Sequence, residues 1–132
     1  MKQKITVLTL CAMLLALCYS ASAQQPGKVF RIGFLDGGTA AGSAVLWEAF
    51  RQELSKLGWI EGKNLTIEYR FAEGKNDRLP ELAADLVRLK VDLIVATGAP
   101  IAVAAKSAAT TIPIVMTNAG DPVGAGLIAS LA

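Results

Sequence analysis

Two short runs in the second half of the chain are apolar at every position: Leu93–Ala96 (LIVA) and, after Pro113, the IVM of TIPIVMT at 111–117. A strand with one wet face alternates apolar and polar side chains. An uninterrupted apolar run of strand length means that both faces are covered, as in a parallel sheet between layers of helices. Ile101–Ala109, between the two runs, is alanine-rich and suits close packing on a sheet; Pro100 can stand in its first turn. Pro113 is tolerable only where the last strand begins.

The first half repeats the unit. Val29–Leu35 (VFRIGFL) reads as a strand ended by DGG. Ala41–Leu57 then carries Trp47, Phe50, Leu54 and Leu57 at helical spacing, with Gly58 where a helix C-terminal glycine belongs. Leu65–Arg70 (LTIEYR) alternates strictly, which places it at a sheet edge. Asp77 is the expected N-cap of the next helix, which has Pro80 in its first turn and Leu82, Leu86 and Leu89 on its inner face. GLIASLA, at 126–132, reads as a further helix beginning. Repeated βα units imply an α/β fold: a doubly wound, Rossmann-like parallel sheet with right-handed crossovers. The expected order is 2-1-3-4, with a fifth strand missing.

The N-terminus reads as a leader rather than as fold. Lys2 and Lys4 precede the apolar run Ile5–Leu17, and Ala21-Ser22-Ala23 forms a small-residue cleavage site. Residues 1–23 are therefore expected to be a signal peptide. Cys18 follows Leu17, where a lipid-attachment motif usually has a small residue, so cleavage before Gln24 is favoured over a lipoprotein form. Both cysteines fall in the leader and the chain has no histidine. Thiol chemistry, disulfides, histidine-based catalysis and most zinc sites are thereby excluded from the mature domain. Export without disulfides points to the bacterial periplasm. Removing Lys2 and Lys4 from the 13 basic residues leaves 11, matching the 11 acidic ones. Such a balance gives no footprint for nucleic acid.

In a doubly wound sheet, ligands bind at the carboxyl ends of the strands. The loops expected there are DGGTAAG (36–42), RFAEGKN (70–76), TGAP (97–100) and TNAGDP (117–122). Their glycines admit a ligand close to backbone N–H groups, and the helix N-termini behind them favour an anion. Asp36 and Asp121 could hold an ammonium group, while Thr39, Thr97, Thr117 and Asn118 offer neutral hydrogen bonds. The set suits a small zwitterion or polar solute. Each loop alone is also ordinary turn chemistry, and Asp121 before Pro122 could simply start a turn or cap a helix. Convergence on one edge is what distinguishes them.

Enzyme motifs fail. GGTAAGSA (37–44) lacks the lysine of a phosphate-binding loop and has Thr39 where a dinucleotide fingerprint needs its second glycine. The second strand ends in Arg70 rather than a ribose-binding carboxylate, and Glu73 with Asp77 is too few ligands for a cation. No catalytic residue, metal ligand or cofactor is expected.

The series RIGFL, EAFRQELSKLGWIEGKNLTIEYRFAEGKNDRLPELAADLVRLKVDLIVATGAP, TIPIVM and GDPVGAGLIASLA resembles the N-terminal part of ABC-transporter substrate-binding proteins, in the branch that includes aromatic amino-acid binders. The likeness spans nearly all of Lys28–Ala132. It implies the periplasmic binding protein-like I fold: two Rossmann-like lobes around a hinge, closing on a solute and delivering it to a membrane permease with its ATPase, without catalysis. It carries over a first-lobe half-site: Asp36, Gly37, Gly38 and Thr39; Thr97, Gly98 and Ala99; Asn118 and Asp121. The first loop varies within the family. Residues 24–132 are then the N-terminal lobe, cut before the hinge, with about 200 residues of a two-domain chain still to follow. The alternative is an exported sensory or interaction module of the same fold that binds a solute without transport.

Overall fold

The structure, a computed structural model, describes residues 27–118 and 120–128. The leader and most of GLIASLA lie outside that range. The chain runs β1 (Phe30–Asp36), α1 (Ala44–Lys56), β2 (Leu65–Phe71), a 3₁₀ turn (Asn76–Arg78), α2 (Leu79–Arg88), β3 (Leu93–Thr97), α3 (Ala99–Ala108) and β4 (Ile114–Thr117). The four strands form one sheet in the order β2-β1-β3-β4, and every pair is parallel. This is the α/β arrangement and strand order that the alternating and continuous apolar runs indicate.

Alternation of side chains along each strand sorts the core into two layers. Ile32 and Phe34 of β1, Leu65 and Ile67 of β2 and Val95 of β3 form one, covered by Trp47, Phe50 and Leu54 of α1. Leu35, Ile94 and Ala96 face the other way, against Leu79, Ala83 and Leu86 of α2 and Ile101, Ala102 and Ala105 of α3. Small residues let the helices lie close. At Gly33 a Cβ would stand 2.9 Å from a Leu86 methyl, so α2 rests directly on the β1 backbone.

The helix ends depart from expectation for local reasons. The first helix starts at Ala44 rather than Ala41, because Thr39–Ser43 is a separate turn closed by Ser43 N–H to Thr39 O at 2.9 Å. It stops at Lys56: Gly58 (φ +89°) sends its N–H to Ser55 O, and Trp59 N–H bonds Leu54 O. This double bond pattern is the Schellman end. It leaves Leu57 76% exposed, so Leu57 is not part of the buried stripe. Asp77 is not an N-cap either. It sits exposed inside the 3₁₀ turn, and the helix begins two residues later with Pro80 in its first turn. After β4, Pro122–Gly126 forms turns, and Leu127 folds back into the core while Lys106 Nζ bonds the carbonyls of Gly126 and Leu127. The described start of GLIASLA is thus turn, not helix.

Tyr69 gives a pH test of the α1 layer. Its ring lies 5.3 Å from Trp47 and 5.9 Å from Phe34, and its buried hydroxyl oxygen has no hydrogen-bond partner among the described residues. Burial, then the nearby Glu61 carboxylate, pushes the phenol from 10.0 up to about 12. The folded chain therefore holds this proton more tightly than the unfolded one. The associated stability is complete below pH 10 and is lost as pH rises towards 12. Ultraviolet titration of residues 24–132, where Tyr69 is the one tyrosine, should find the tyrosinate band only in that upper window. Tyr69→Phe should remove the pH dependence there and leave neutral-pH stability unchanged, or raise it by up to about 1 kcal/mol, because an unpartnered hydroxyl is lost.

Candidate functional site

Parallel strands place all four carboxyl ends on one edge, and the loops leaving that edge are tied to one another. Ala72 N–H donates to Asp36 O at 2.9 Å, Glu73 N–H to Gly38 O at 2.9 Å, and Gly74 N–H to Gly37 O at 2.8 Å, joining the loop after β2 to the loop after β1. Gly98 N–H donates to Thr117 O at 2.8 Å, joining the ends of β3 and β4.

Asp36 joins the two halves. Its side chain is buried, 6% exposed, at the last position of β1. Oδ1 accepts the Gly38 N–H at 2.6 Å and the Ser43 hydroxyl at 2.8 Å, and Oδ2 accepts the Thr97 hydroxyl from the end of β3. Both β1 and β3 run one residue further than their apolar stretches suggest, and Asp36 and Thr97 are those extra residues.

The other candidates lie in the loops that leave the same carboxyl edge. Gly37 and Gly38 are half-buried, and Thr39 is exposed at the loop crest, its Oγ1 accepting the Gly42 N–H at 2.9 Å. Among the described residues, the N–H groups of Thr39, Ala40 and Ala41 donate to no partner. Trp47 Nε1 donates to Ala40 O at 3.2 Å and pins the crest to α1. Gly98 has φ +101° and ψ 159°, a conformation essentially reserved for glycine, and leads through the half-buried Ala99 into α3. Asn118 is exposed in the left-handed region at φ +55°. Asp121 is exposed, and its Oδ1 accepts the Gly124 N–H at 2.9 Å, a bond within its own turn. The structure therefore brings Asp36, Gly38, Ser43 and Thr97 into one hydrogen-bonded group, while Gly98 bonds Thr117 O and neither Asn118 nor Asp121 bonds to that group. Ser43 went unnoticed in sequence. Only its place seven residues after Asp36, at the start of α1, points to it.

Charged neighbours pair with one another. Arg70 Nε donates to Asp85 Oδ2 at 2.7 Å, and this bond above all holds the Asp85 carboxyl below its usual range. Glu73 forms an ion pair with Arg78 at 3.1 Å. No three His, Cys, Asp or Glu side chains gather as metal ligands among the described residues. An apolar groove of about 630 Å³ runs between α2 and α3, from Asn76 and Pro100 near this edge to Ser107 and Ala108. Chemically, the edge offers backbone N–H groups, hydroxyls and glycine surface, groups able to hydrogen-bond a compact polar molecule.

Comparison with known proteins gives consistent results. Residues 43–132 match the family model described as ABC transporter substrate binding protein. A tyrosine-binding protein of Clostridioides difficile (strain R20291) is 38% identical over 84 residues, 64% of this chain and 24% of the relative. The ligand-free, open structure of a substrate-binding protein with adhesive properties from Clostridium difficile superposes with a TM-score of 0.72 at 32% identity, over 78% of this chain and 35% of that one. An ABC domain in complex with L-Trp from Streptococcus pneumonia gives 0.63 at 25% identity, over 74% and 32%. The chain thus spans about a quarter of its curated relative and a third of these structures.

Proposed function

The chain belongs to the ABC transporter substrate-binding protein family, and from that membership we propose that it forms one wall of a solute-binding cleft in an ABC importer. The solute is an amino acid or a similar small zwitterion. A second lobe supplies the opposite wall, and the closed protein delivers its solute to a membrane permease with its ATPase, with no catalytic step. The wall comprises Gly37–Thr39, Thr97–Ala99, Asn118 and Asp121, with Asp36 behind the first two groups. The unpartnered N–H groups of Thr39–Ala41 suit the carboxylate, and Asp121 suits the ammonium group. Relatives named for tyrosine binding and crystallised with L-Trp favour an amino acid as the class.

Substrate-binding proteins of ABC importers work outside the cytoplasm. No helix among the described residues is long and apolar enough to cross a membrane. We place the protein in the periplasm, exported by the leader at 1–23. The neighbour with adhesive properties favours a second reading, in which the same lobe serves a surface interaction or sensory role.

The observation that carries the proposal is the convergence of four interlocked loops at the carboxyl edge of a parallel sheet. Titration calorimetry of the full-length protein with L-tyrosine, L-tryptophan and the remaining standard amino acids tests it. Saturable binding of at least one is expected, and none across the set would refute the reading. Residues 24–132 alone bury one side of a ligand, so their affinity should be weaker by at least about tenfold, or 1.4 kcal/mol. Equal affinity of lobe and full-length protein would contradict a two-walled cleft.

A further inference from the structure

We propose that Asp36, Ser43 and Thr97 form an internal latch that sets the position of the ligand-facing loops, with Asp36 acting through those loops rather than on the solute. The inference rests on the reading of the carboxyl edge as the solute wall, and it reassigns the one carboxylate in that wall that is buried.

Three separate segments meet at this carboxylate: the turn after β1 through the Gly38 N–H, the start of α1 through the Ser43 hydroxyl, and the end of β3 through the Thr97 hydroxyl. A carboxylate is acceptor-only, and Oδ1 already serves two donors. The residue is buried, so its carboxylate faces the protein interior. The backbone around it is matched to that role. A Cβ on Gly38 would stand 2.9 Å from Ser43 Oγ and 3.0 Å from Asp36 Oδ1, so the second glycine of DGG is required for the latch to close. Gly38 O and Gly37 O in turn receive the Glu73 and Gly74 N–H groups, so the latch also determines where the loop after β2 lies. On the other side, Thr97 precedes Gly98, whose N–H reaches Thr117 O and connects the end of β4. One buried group thus links the ends of all four strands.

A positioning carboxylate and a solute-pairing carboxylate respond differently to amidation. Asp36→Asn removes the charge that an ammonium group would need. It keeps Oδ1 as acceptor for Gly38 and Ser43, and its amide can donate to the Thr97 oxygen in place of the present bond. Asp36→Ala removes both the charge and the acceptors, whereas Ser43→Ala breaks one arm of the latch and leaves the charge in place. The experiment measures hydrogen exchange at the Glu73, Gly74 and Gly98 amides, none of which bonds Asp36 directly, together with L-tyrosine affinity in the full-length protein and the denaturation midpoint. Ser43→Ala should speed exchange at Glu73 and Gly74 by about tenfold, the loss of roughly one part-buried hydrogen bond, and lower the midpoint by no more than that one bond accounts for. Asp36→Asn should stay within about threefold of the parent in exchange and affinity, whereas Asp36→Ala should lose about tenfold or more in both. If Asp36→Ala fails to fold, Ser43→Ala and Asp36→Asn carry the test. Exchange unaffected by Ser43→Ala would overturn the latch, and so would an Asp36→Asn affinity loss as large as that of Asp36→Ala. If the parent binds no amino acid, the solute reading fails, while the exchange measurements still decide the latch.

Discussion

Phe34→Ala is expected to lower the unfolding free energy by about 3–5 kcal/mol, enough to leave a domain of ordinary stability partly unfolded at ambient temperature. Phe34 is 1% exposed in the middle of β1, and its ring sits 5.8 Å from Phe50 of α1 and 5.9 Å from Tyr69 of β2. Like Tyr69, Phe34 ties strand, neighbouring strand and covering helix together through one side chain, in a layer where α1 contributes no fully buried residue of its own. Truncation leaves a cavity beneath α1. Leu57→Ala is the control: that side chain is exposed, and the change should stay within about 0.5 kcal/mol. Urea denaturation followed by far-ultraviolet circular dichroism measures both. Equal losses would mean that the aromatic layer is not where the stability lies.

Gly98→Val should cost about 1–3 kcal/mol and, unlike Phe34→Ala, should disturb the ligand edge more than the core. The backbone at φ +101°, ψ 159° is strained for any side chain, and a Cβ there meets Ile101 Cδ1 at 3.4 Å. Relief by rotation would withdraw the Gly98 N–H from Thr117 O and tilt the start of α3. The expected signature is a lowered denaturation midpoint together with loss of amino-acid binding beyond the calorimetric range. A variant that kept parental affinity would place Gly98 outside the solute wall.

The contrast between these sites also explains what could be read from sequence. In the strand order, two positions were legible from the apolar pattern, since LTIEYR alternates and lies at the β2 edge whereas LIVA does not and lies within the sheet. The equally apolar IVM differs, because β4 is the other edge and Val115 is 46% exposed. The carboxyl-edge loops followed from that order. Helix ends were less legible, because Leu57 satisfies the helical spacing and is excluded only by backbone bonds around Gly58. Asp77 has N-cap chemistry, yet a 3₁₀ turn intervenes before the helix. The interior role of Asp36 was invisible for a different reason. It depends on Ser43 and Thr97, seven and 61 positions away, which only the folded sheet brings to one carboxylate. Asp121 shows the limit of composition as a guide, since its described bond is to its own turn.

The central claim is that a solute meets this chain at the carboxyl edge of its sheet. Backbone NMR of isotopically labelled residues 24–132, titrated with L-tyrosine or L-tryptophan to the solubility limit, tests it most directly and tolerates weak binding. The account predicts shifts concentrated at the amides of Gly37–Ala41, Gly98, Ala99 and Asn118, with Asp92 and the Ile60–Asn64 turn at the opposite edge unmoved. Shifts gathered instead along the α2–α3 groove at Ala84, Val103 and Ser107, or an unchanged spectrum throughout, would contradict it.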